Sequence, residues 1–131
     1  MIQSGTILKV VDKTGVMLVK CVKVFGPSKK RIAKIGDLVL VSVQHINSKK
    51  FSKMKAWKRK RYLKGTLHRA LIIRTKVNFK RKIGVYIKFN ENSVVLVTKK
   101  KVPISNRVYG PVLRELCVKI PALGCVTRYM I

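Results

Sequence analysis

Residues able to perform acid–base or metal chemistry are few and scattered in this chain of 131 residues. Its side-chain carboxylates are those of Asp12, Asp37, Glu91 and Glu115, each in or beside a predicted turn or helix cap. General acid–base catalysis and metal-dependent nucleases need such groups close together. We expect Asp12 and Asp37 to stabilise turns and Glu115 to pair with a nearby base. The chain also lacks a glycine-rich phosphate loop. We therefore expect no enzymatic activity and no catalytic residues.

The cysteines and histidines do not form a recognisable ligand pattern. Cys21, Cys117 and Cys125 show no CxxC spacing, and the gap of seven residues between the last two is unusual for zinc-ligand loops. Zinc bound by Cys117, Cys125 and either His45 or His68 is the alternative to reduced thiols. We favour thiols buried as small hydrophobic groups, in a compartment that does not oxidise them. No metal or cofactor is expected.

Phosphate binding is the chemistry that the composition favours. The chain has 31 Lys and Arg against 4 Asp and Glu, a formal net charge of +27. A compact domain with this charge repels itself unless a polyanion neutralises it, and nucleic acid does so with release of counterions. The basic residues occur throughout the chain between apolar segments, unlike a basic tail. A membrane is the rival polyanion, but the longest hydrophobic run has four residues, too few to span a bilayer.

The candidate RNA-binding residues lie in basic runs at loops and predicted strand ends. Arginine can bind phosphate with two hydrogen bonds, whereas lysine acts as a point charge. We therefore expect Arg31, Arg74, Arg107 and Arg114 to be the geometric anchors, and Arg74 with Lys76 to face phosphate rather than the core. The full set of candidates is Lys29, Lys30, Arg31, Lys49, Lys50, Lys53, Arg74, Lys76, Arg81, Arg107 and Arg114.

Turn signals divide the chain into short β-strands that would position these cations. The strands predicted from β-branched and alternating residues span 6–11, 16–25, 38–43, 66–75, 85–89 and 93–98. The last two flank Asn90, Glu91 and Asn92 and predict a hairpin. Several strands are apolar on both faces, which favours a small closed barrel covered by other parts of the chain. We predict a mostly β single domain over 1–131, with an antiparallel barrel of five main strands.

Two segments depart from this pattern. Residues 48–64, called the basic arm below, show no two-residue period and predict a projecting arm or long loop that orders only on RNA or a neighbouring protein. Its Trp57 and Tyr62 could stack on unpaired bases or pack on protein. Residues 110–116 predict a short helix with Pro111 at its first position. We expect short helices over about 110–131.

Residues 70–96 closely resemble the signature of the universal large-subunit ribosomal protein L-fourteen. The motif consists of residues 70–73, 83–84, Phe89, Asn92 and 95–96, and Ile83 stands where the family has Asp, Asn or Ser. Ordered matches cover nearly the whole chain, including 21–24, 36–37, 73–76 and 107–112. The basic arm is longer than in the family, acidic residues are fewer, and the segment after Cys117 is poorly matched.

The resemblance implies a five-stranded barrel, a protruding β-ribbon and small C-terminal helices. It also implies a structural constituent of the large ribosomal subunit that binds large-subunit rRNA and helps bridge to small-subunit rRNA during translation. Proteins L-three and L-nineteen would be neighbours, and a ribosome-silencing factor a further partner. A non-ribosomal basic RNA-binding or RNA-processing factor is the alternative function.

The ribosome to which the chain belongs can also be predicted. The match begins at residue 1, which we take to leave no room for a targeting presequence. The Lys- and Ile-rich, acid-poor composition resembles proteins encoded in AT-rich organelle genomes. We therefore expect an organelle-encoded protein of a mitochondrial ribosome in the matrix, with a plastid or bacterial ribosome as the alternative.

Overall fold

The computed structural model describes all residues from Met1 to Ile131. No helix in it is long and apolar enough to cross a membrane. The strands are β1 (Ile7–Val10), β2 (Val16–Val24), β3 (Leu38–Ile46), β4 (Leu67–Arg74), β5 (Phe79–Lys80), β6 (Tyr86–Ile87), β7 (Ser93–Val97), β8 (Val108–Val112) and β9 (Thr127–Met130). The helices are α1 (Ser48–Ser52), α2 (Ala56–Arg61), α3 (Arg114–Lys119) and α4 (Pro121–Val126).

Five strands form a closed barrel in the order β1-β2-β3-β4-β7. Four of the five neighbouring pairs are antiparallel, and the barrel is closed by a parallel pair, in which Lys9 of β1 lies opposite Ser93 of β7. The predicted mostly β fold with a five-stranded barrel is therefore confirmed.

The barrel has a core on each side of its wall. In β4, Ala70 and Ile72 belong to a cluster to which all five barrel strands contribute, whereas Leu71 and Ile73 belong to a second cluster. All four side chains are fully buried. The second cluster includes residues of β8, α3 and α4, which cover this part of the barrel. This two-sided packing explains why several strands are apolar on both faces.

The hairpin predicted from 85–89 and 93–98 is wrong. Strand β6 pairs with β5, in a separate ribbon that turns at Gly84. Gly84 has a φ of +91°, and its N–H donates to the carbonyl of Arg81 at 3.0 Å. The segment that follows joins the ribbon to the barrel, since the backbone N–H of Lys76 donates to Asn92 Oδ1 at 2.9 Å. Residues 90–92 therefore connect the β5–β6 ribbon to strand β7 and do not form the turn of a hairpin.

The helix predicted at 110–116 begins later, at Arg114. Gly110 has a φ of +83°, outside the helical region, and with Pro111 it belongs to β8. Strand β8 pairs in parallel with β9, so the tail contains a strand as well as helices. The proline at the first position of a helix is Pro121, in α4.

The basic arm, predicted as a projecting arm or long loop, forms the two short helices α1 and α2. The long-loop alternative is therefore wrong. Asn47 caps α1, its side chain accepting a hydrogen bond from the Lys50 N–H at 3.3 Å. Neither helix contains a buried residue. Tyr62, directly after α2, is the buried residue of the arm and packs in the barrel cluster.

Candidate nucleic-acid interface

Two of the four acidic side chains stabilise turns, as predicted. Asp12 is buried, and its carboxylate accepts hydrogen bonds from the N–H groups of Thr14 at 2.8 Å and Leu96 at 3.1 Å. Burial raises the pKa of Asp12, against the effect of these hydrogen bonds. Asp37 accepts a hydrogen bond from the Lys34 N–H at 2.7 Å and pairs with Lys30 at 2.7 Å.

The other two acidic residues form ion pairs. Glu91 lies 2.9 Å from Lys9 Nζ and 2.8 Å from Arg74 Nη2. Partial burial would raise the pKa of Glu91, but hydrogen bonds from Lys9 and Ser93 and the charge of Arg74 hold it below its usual value. Glu115 pairs with Arg81 at 2.6 Å, which confirms the predicted pairing with a nearby base.

These contacts leave most of the positive charge without a protein partner. Four of the 31 Lys and Arg make ion pairs, namely Lys9, Lys30, Arg74 and Arg81, so 27 have no acidic partner within 4.0 Å. Nearly all of these 27 side chains are exposed. The surface is therefore strongly electropositive, and every acidic side chain already makes contacts within the fold.

The predicted RNA-binding residues divide by exposure. Lys30 and Arg81 are half-buried in their ion pairs. Arg74 is buried, and the remaining candidates are exposed and free of acidic partners: Lys29, Arg31, Lys49, Lys50, Lys53, Lys76, Arg107 and Arg114.

Arg74 does not face outward, so the expectation that it faces phosphate rather than the core is wrong. Its side chain is only 6% exposed and pairs with Glu91 where β4 meets β7. Burial lowers the pKa of the guanidinium, opposed by the charge of Glu91. The guanidinium packs directly over Gly110, whose missing side chain leaves it room. Arg74 thus compensates a carboxylate inside the fold.

An open groove of about 460 Å³ brings Lys30 and Arg31 together with Lys23 of β2. No acidic residue lines it, and its polar lining also includes Gln3, Ser4 and Ser28. Cations beside hydroxyl and amide donors match the groups that bind nucleic-acid backbones. Sequence reasoning missed Lys23, although its place on the exposed face of β2 was a usable signal.

Two further concavities differ from this groove in character. The first, of about 380 Å³, is lined by Lys9, Lys50, Arg74, Glu91 and Tyr109 among others, and Lys50 Nζ lies 5.6 Å from the centre of the Tyr109 ring. The second, of about 340 Å³, lies between the β5–β6 ribbon and α3. It is lined by Arg81, Ile83, Arg114, Glu115, Val118 and Ile131.

The amino-acid sequence matches the model of a known protein family. The family model described as ribosomal protein L14p/L23e matches residues 1–124. The chain belongs to this family. It is therefore a structural protein of the large ribosomal subunit, and membership implies rRNA and ribosomal proteins as partners. The family is generally non-enzymatic.

The departure from the L14 signature at Ile83 lies at the tip of the β5–β6 ribbon. Ile83 is 87% exposed, and Val118 of α3, which lines the same concavity, is 76% exposed. An isoleucine is therefore compatible with the turn, because Gly84 supplies the positive φ. The substitution adds apolar surface at this site.

The remaining candidate side chains of this L14 protein have separate locations. Cys21 and Cys117 are buried as predicted, whereas Cys125 is exposed, so the prediction of burial is wrong for it. His45 lies in β3 and His68 in β4. No group of three or more His, Cys, Asp or Glu side chains is placed to hold a metal ion. Tyr62 packs on the barrel, but Trp57 is 58% exposed.

Proposed function

We propose that this L14 protein binds large-subunit rRNA directly, along several faces of the barrel and along the basic arm. The observation that carries the proposal is the 27 Lys and Arg without an acidic partner, against four acidic side chains that all make contacts within the fold. Such a surface is costly in water and is stabilised by phosphates, whose condensed counterions are released on binding.

The groove lined by Lys23, Lys30 and Arg31 is the best-formed phosphate site. Arg31 can donate two hydrogen bonds to one phosphate, while Lys23 adds charge. The charge of Lys30 is already offset by Asp37. Lys29, Lys49, Lys50, Lys53, Lys76, Arg107 and Arg114 extend the proposed contacts to other faces. Arg74 and Arg81 contribute indirectly, because they hold Glu91 and Glu115 and so keep these carboxylates from repelling phosphate.

We further propose that the protein helps bridge the subunits by contacting small-subunit rRNA, as the family resemblance implies. Proteins L-three and L-nineteen and a ribosome-silencing factor are the proposed protein partners. The surface around Ile83 and Val118 supports a protein contact, since its lining combines exposed apolar side chains with the Arg81–Glu115 ion pair.

A mitochondrial ribosome is the proposed location, on the basis of the Lys- and Ile-rich, acid-poor composition. Pulse-labelling with the cytosolic ribosome blocked by cycloheximide tests it. A labelled chain in purified mitochondria is the expected result. Labelling in plastids only, or loss of labelling under the block, would contradict mitochondrial synthesis.

Binding to fragments of large-subunit rRNA tests the main proposal. If six or more phosphates are contacted, affinity should fall about a thousand-fold or more between 50 and 200 mM salt. The native protein should also co-sediment with large subunits in high salt. A nearly flat plot of log affinity against log salt would contradict the proposal.

A matched pair of variants separates the groove from overall charge. Lys23→Ala with Arg31→Ala removes two charges from the groove, and should weaken binding by roughly ten-fold or more. Lys99→Ala with Lys100→Ala removes two charges from an exposed turn after β7. If both variants weaken rRNA binding equally, the groove contributes only its charge and is not a specific phosphate site.

A further inference from the structure

The most exposed large aromatic ring of the basic arm is that of Trp57, on α2. It is the only tryptophan in the chain. An indole that keeps more than half of its surface in water gains little from the fold. Its exposure leaves the ring available to a partner outside the barrel core.

Cations surround this ring. Lys58 Nζ lies 5.3 Å and Arg61 Cζ 5.8 Å from the ring centre, both within cation–π distance. The sequence contains no acidic residue between Asp37 and Glu91, so no carboxylate of the arm opposes a polyanion here. A nucleotide carries the two matching groups, an aromatic base and a phosphate.

Both ends of the arm are fixed to the barrel, and Trp57 lies between these ends. At the first end, the Asn47 N–H donates to the Gly15 carbonyl at 2.9 Å, and Met54 packs against Gly15. At the second, Tyr62 is buried, and the His68 ring hydrogen-bonds with the Arg61 carbonyl at 2.9 Å. These contacts hold α2 in place without covering its aromatic side chain.

We propose that Trp57 is a stacking platform for an unpaired base of rRNA, which displaces Lys58 and Arg61 from the ring onto the adjoining phosphates. The inference rests on the proposed rRNA binding and names one contact within it. A base inside a duplex has both faces covered, so the occupant is a nucleotide of a loop, bulge or single strand. The platform should tolerate any base, because all bases offer an aromatic face.

Fluorescence of the full chain tests this directly, because all tryptophan emission comes from Trp57. A single-stranded oligoribonucleotide should quench the emission, and a blunt duplex of equal charge should quench it much less. Trp57→Ala should weaken single-strand binding at least about five-fold. The slope of log affinity against log salt should stay the same, since the number of phosphate contacts is unchanged.

Two further variants complete the test. Trp57→Phe should recover part of the lost affinity because it keeps an aromatic face. Tyr86→Ala is the matched control: Tyr86 is 61% exposed and has Lys80 Nζ 5.8 Å from its ring centre, but lies on the β5–β6 ribbon. Its loss should leave single-strand binding unchanged.

The results that would overturn the platform differ from those that would overturn rRNA binding. Salt-dependent binding with unchanged emission, or equal affinity of wild type and Trp57→Ala, would disprove stacking alone. Emission that changes only with a ribosomal protein would assign Trp57 to a protein contact and also disprove it. Absence of salt-dependent binding to any rRNA fragment would disprove the proposed function itself.

Discussion

The barrel and the basic arm differ in what stabilises them. Barrel strands are hydrogen-bonded on both sides, and all five contribute residues to one buried cluster. The arm, residues 48–64, has nine cations and no acidic residue, and its two helices bury no side chain. The barrel is thus held by apolar burial, whereas the arm depends on contacts at its two ends.

The short length of the arm helices adds to this difference. Helices α1 and α2 have five and six residues, below the roughly 12–15 that an isolated helix needs for marginal stability in water. Lys49 of α1 and Lys53 at its C-cap are four positions apart, where like charges destabilise a helix. A folded core and an electrostatic interface thus impose opposite demands on sequence within one small protein.

Truncating a barrel-core side chain should have the largest effect on stability. Ile72 is fully buried, so Ile72→Ala should lower the free energy of unfolding by about 2–5 kcal/mol. Trp57→Ala removes a larger but exposed side chain from the arm. It should change the free energy of unfolding by less than about 0.5 kcal/mol. Urea unfolding followed by circular dichroism measures both. Similar losses would mean that the arm and barrel unfold as one unit.

Filling the space beneath Arg74 should have the next largest effect. Gly110→Ala combines a positive φ with overlap on the Arg74 guanidinium, and should cost about 1–3 kcal/mol. Gly5→Ala is the matched control, because Gly5 has a φ of +92° but no atom within 4 Å of an added Cβ. In urea unfolding, Gly5→Ala should lower the free energy of unfolding by less than Gly110→Ala does. If both variants lower the free energy of unfolding equally, overlap with the Arg74 guanidinium does not affect stability.

Acid should remove a smaller contribution from the Glu91 ion pairs. The pKa of Glu91 is lower in the folded protein than its ordinary value of 4.5, so these contacts stabilise the fold above that pH. Their contribution is lost as pH falls through the lower, folded pKa. Wild type should therefore exceed Glu91→Gln in stability at pH 6.5, by a margin that shrinks as the pH falls below 4.5. The raised pKa of Asp12 is common to both proteins and cancels in this difference. A difference in stability that does not shrink as the pH is lowered below 4.5 would contradict the assignment.

Removing most of the arm should change stability least. Replacing 51–61 with a short Gly-Ser linker deletes no buried residue, so the free energy of unfolding should stay within about 0.5 kcal/mol. Incorporation into large subunits should nevertheless weaken. In the free intact protein, amide hydrogens of 53–61 should exchange rapidly, because α2 has six residues and buries none of them between the two ends of the arm. Strong protection without RNA would show that the arm is part of the stable fold.

Local sequence patterns predicted the barrel better than its surroundings. The β-branched runs of β1–β4 and β7 identified all five barrel strands, because their apolar residues pack in the clusters on the two sides of the barrel wall. The pairing of β6 with β5 was missed, since both strands have two residues and little periodicity. A helix was predicted to begin at Pro111. The positive φ of Gly110 and the pairing with β9 place Pro111 in a strand instead.

The candidate site was predictable in composition but less so in detail. The excess of cations followed from counting, and the exposure of Arg31, Lys49 and Arg107 agrees with it. The burial of Arg74 depends on Glu91, which is brought near only by the pairing of β4 with β7. For α1, a local signal existed in Asn47 and Ser48, both common helix caps. The many like charges that follow favoured the prediction of an arm or loop over that of a helix.

The parallel closure of the barrel has a consequence for folding kinetics. Strand β1 must pair with β7, so the barrel joins the first strand of the chain to one near its last quarter. Contacts between such distant residues slow folding, because the loop must close before they form. The β8–β9 pair comes later still, since it includes the final residues and the Ile131 N–H donates to the Val112 carbonyl. During synthesis, the barrel is thus expected to stay open until residues 93–97 have left the exit tunnel.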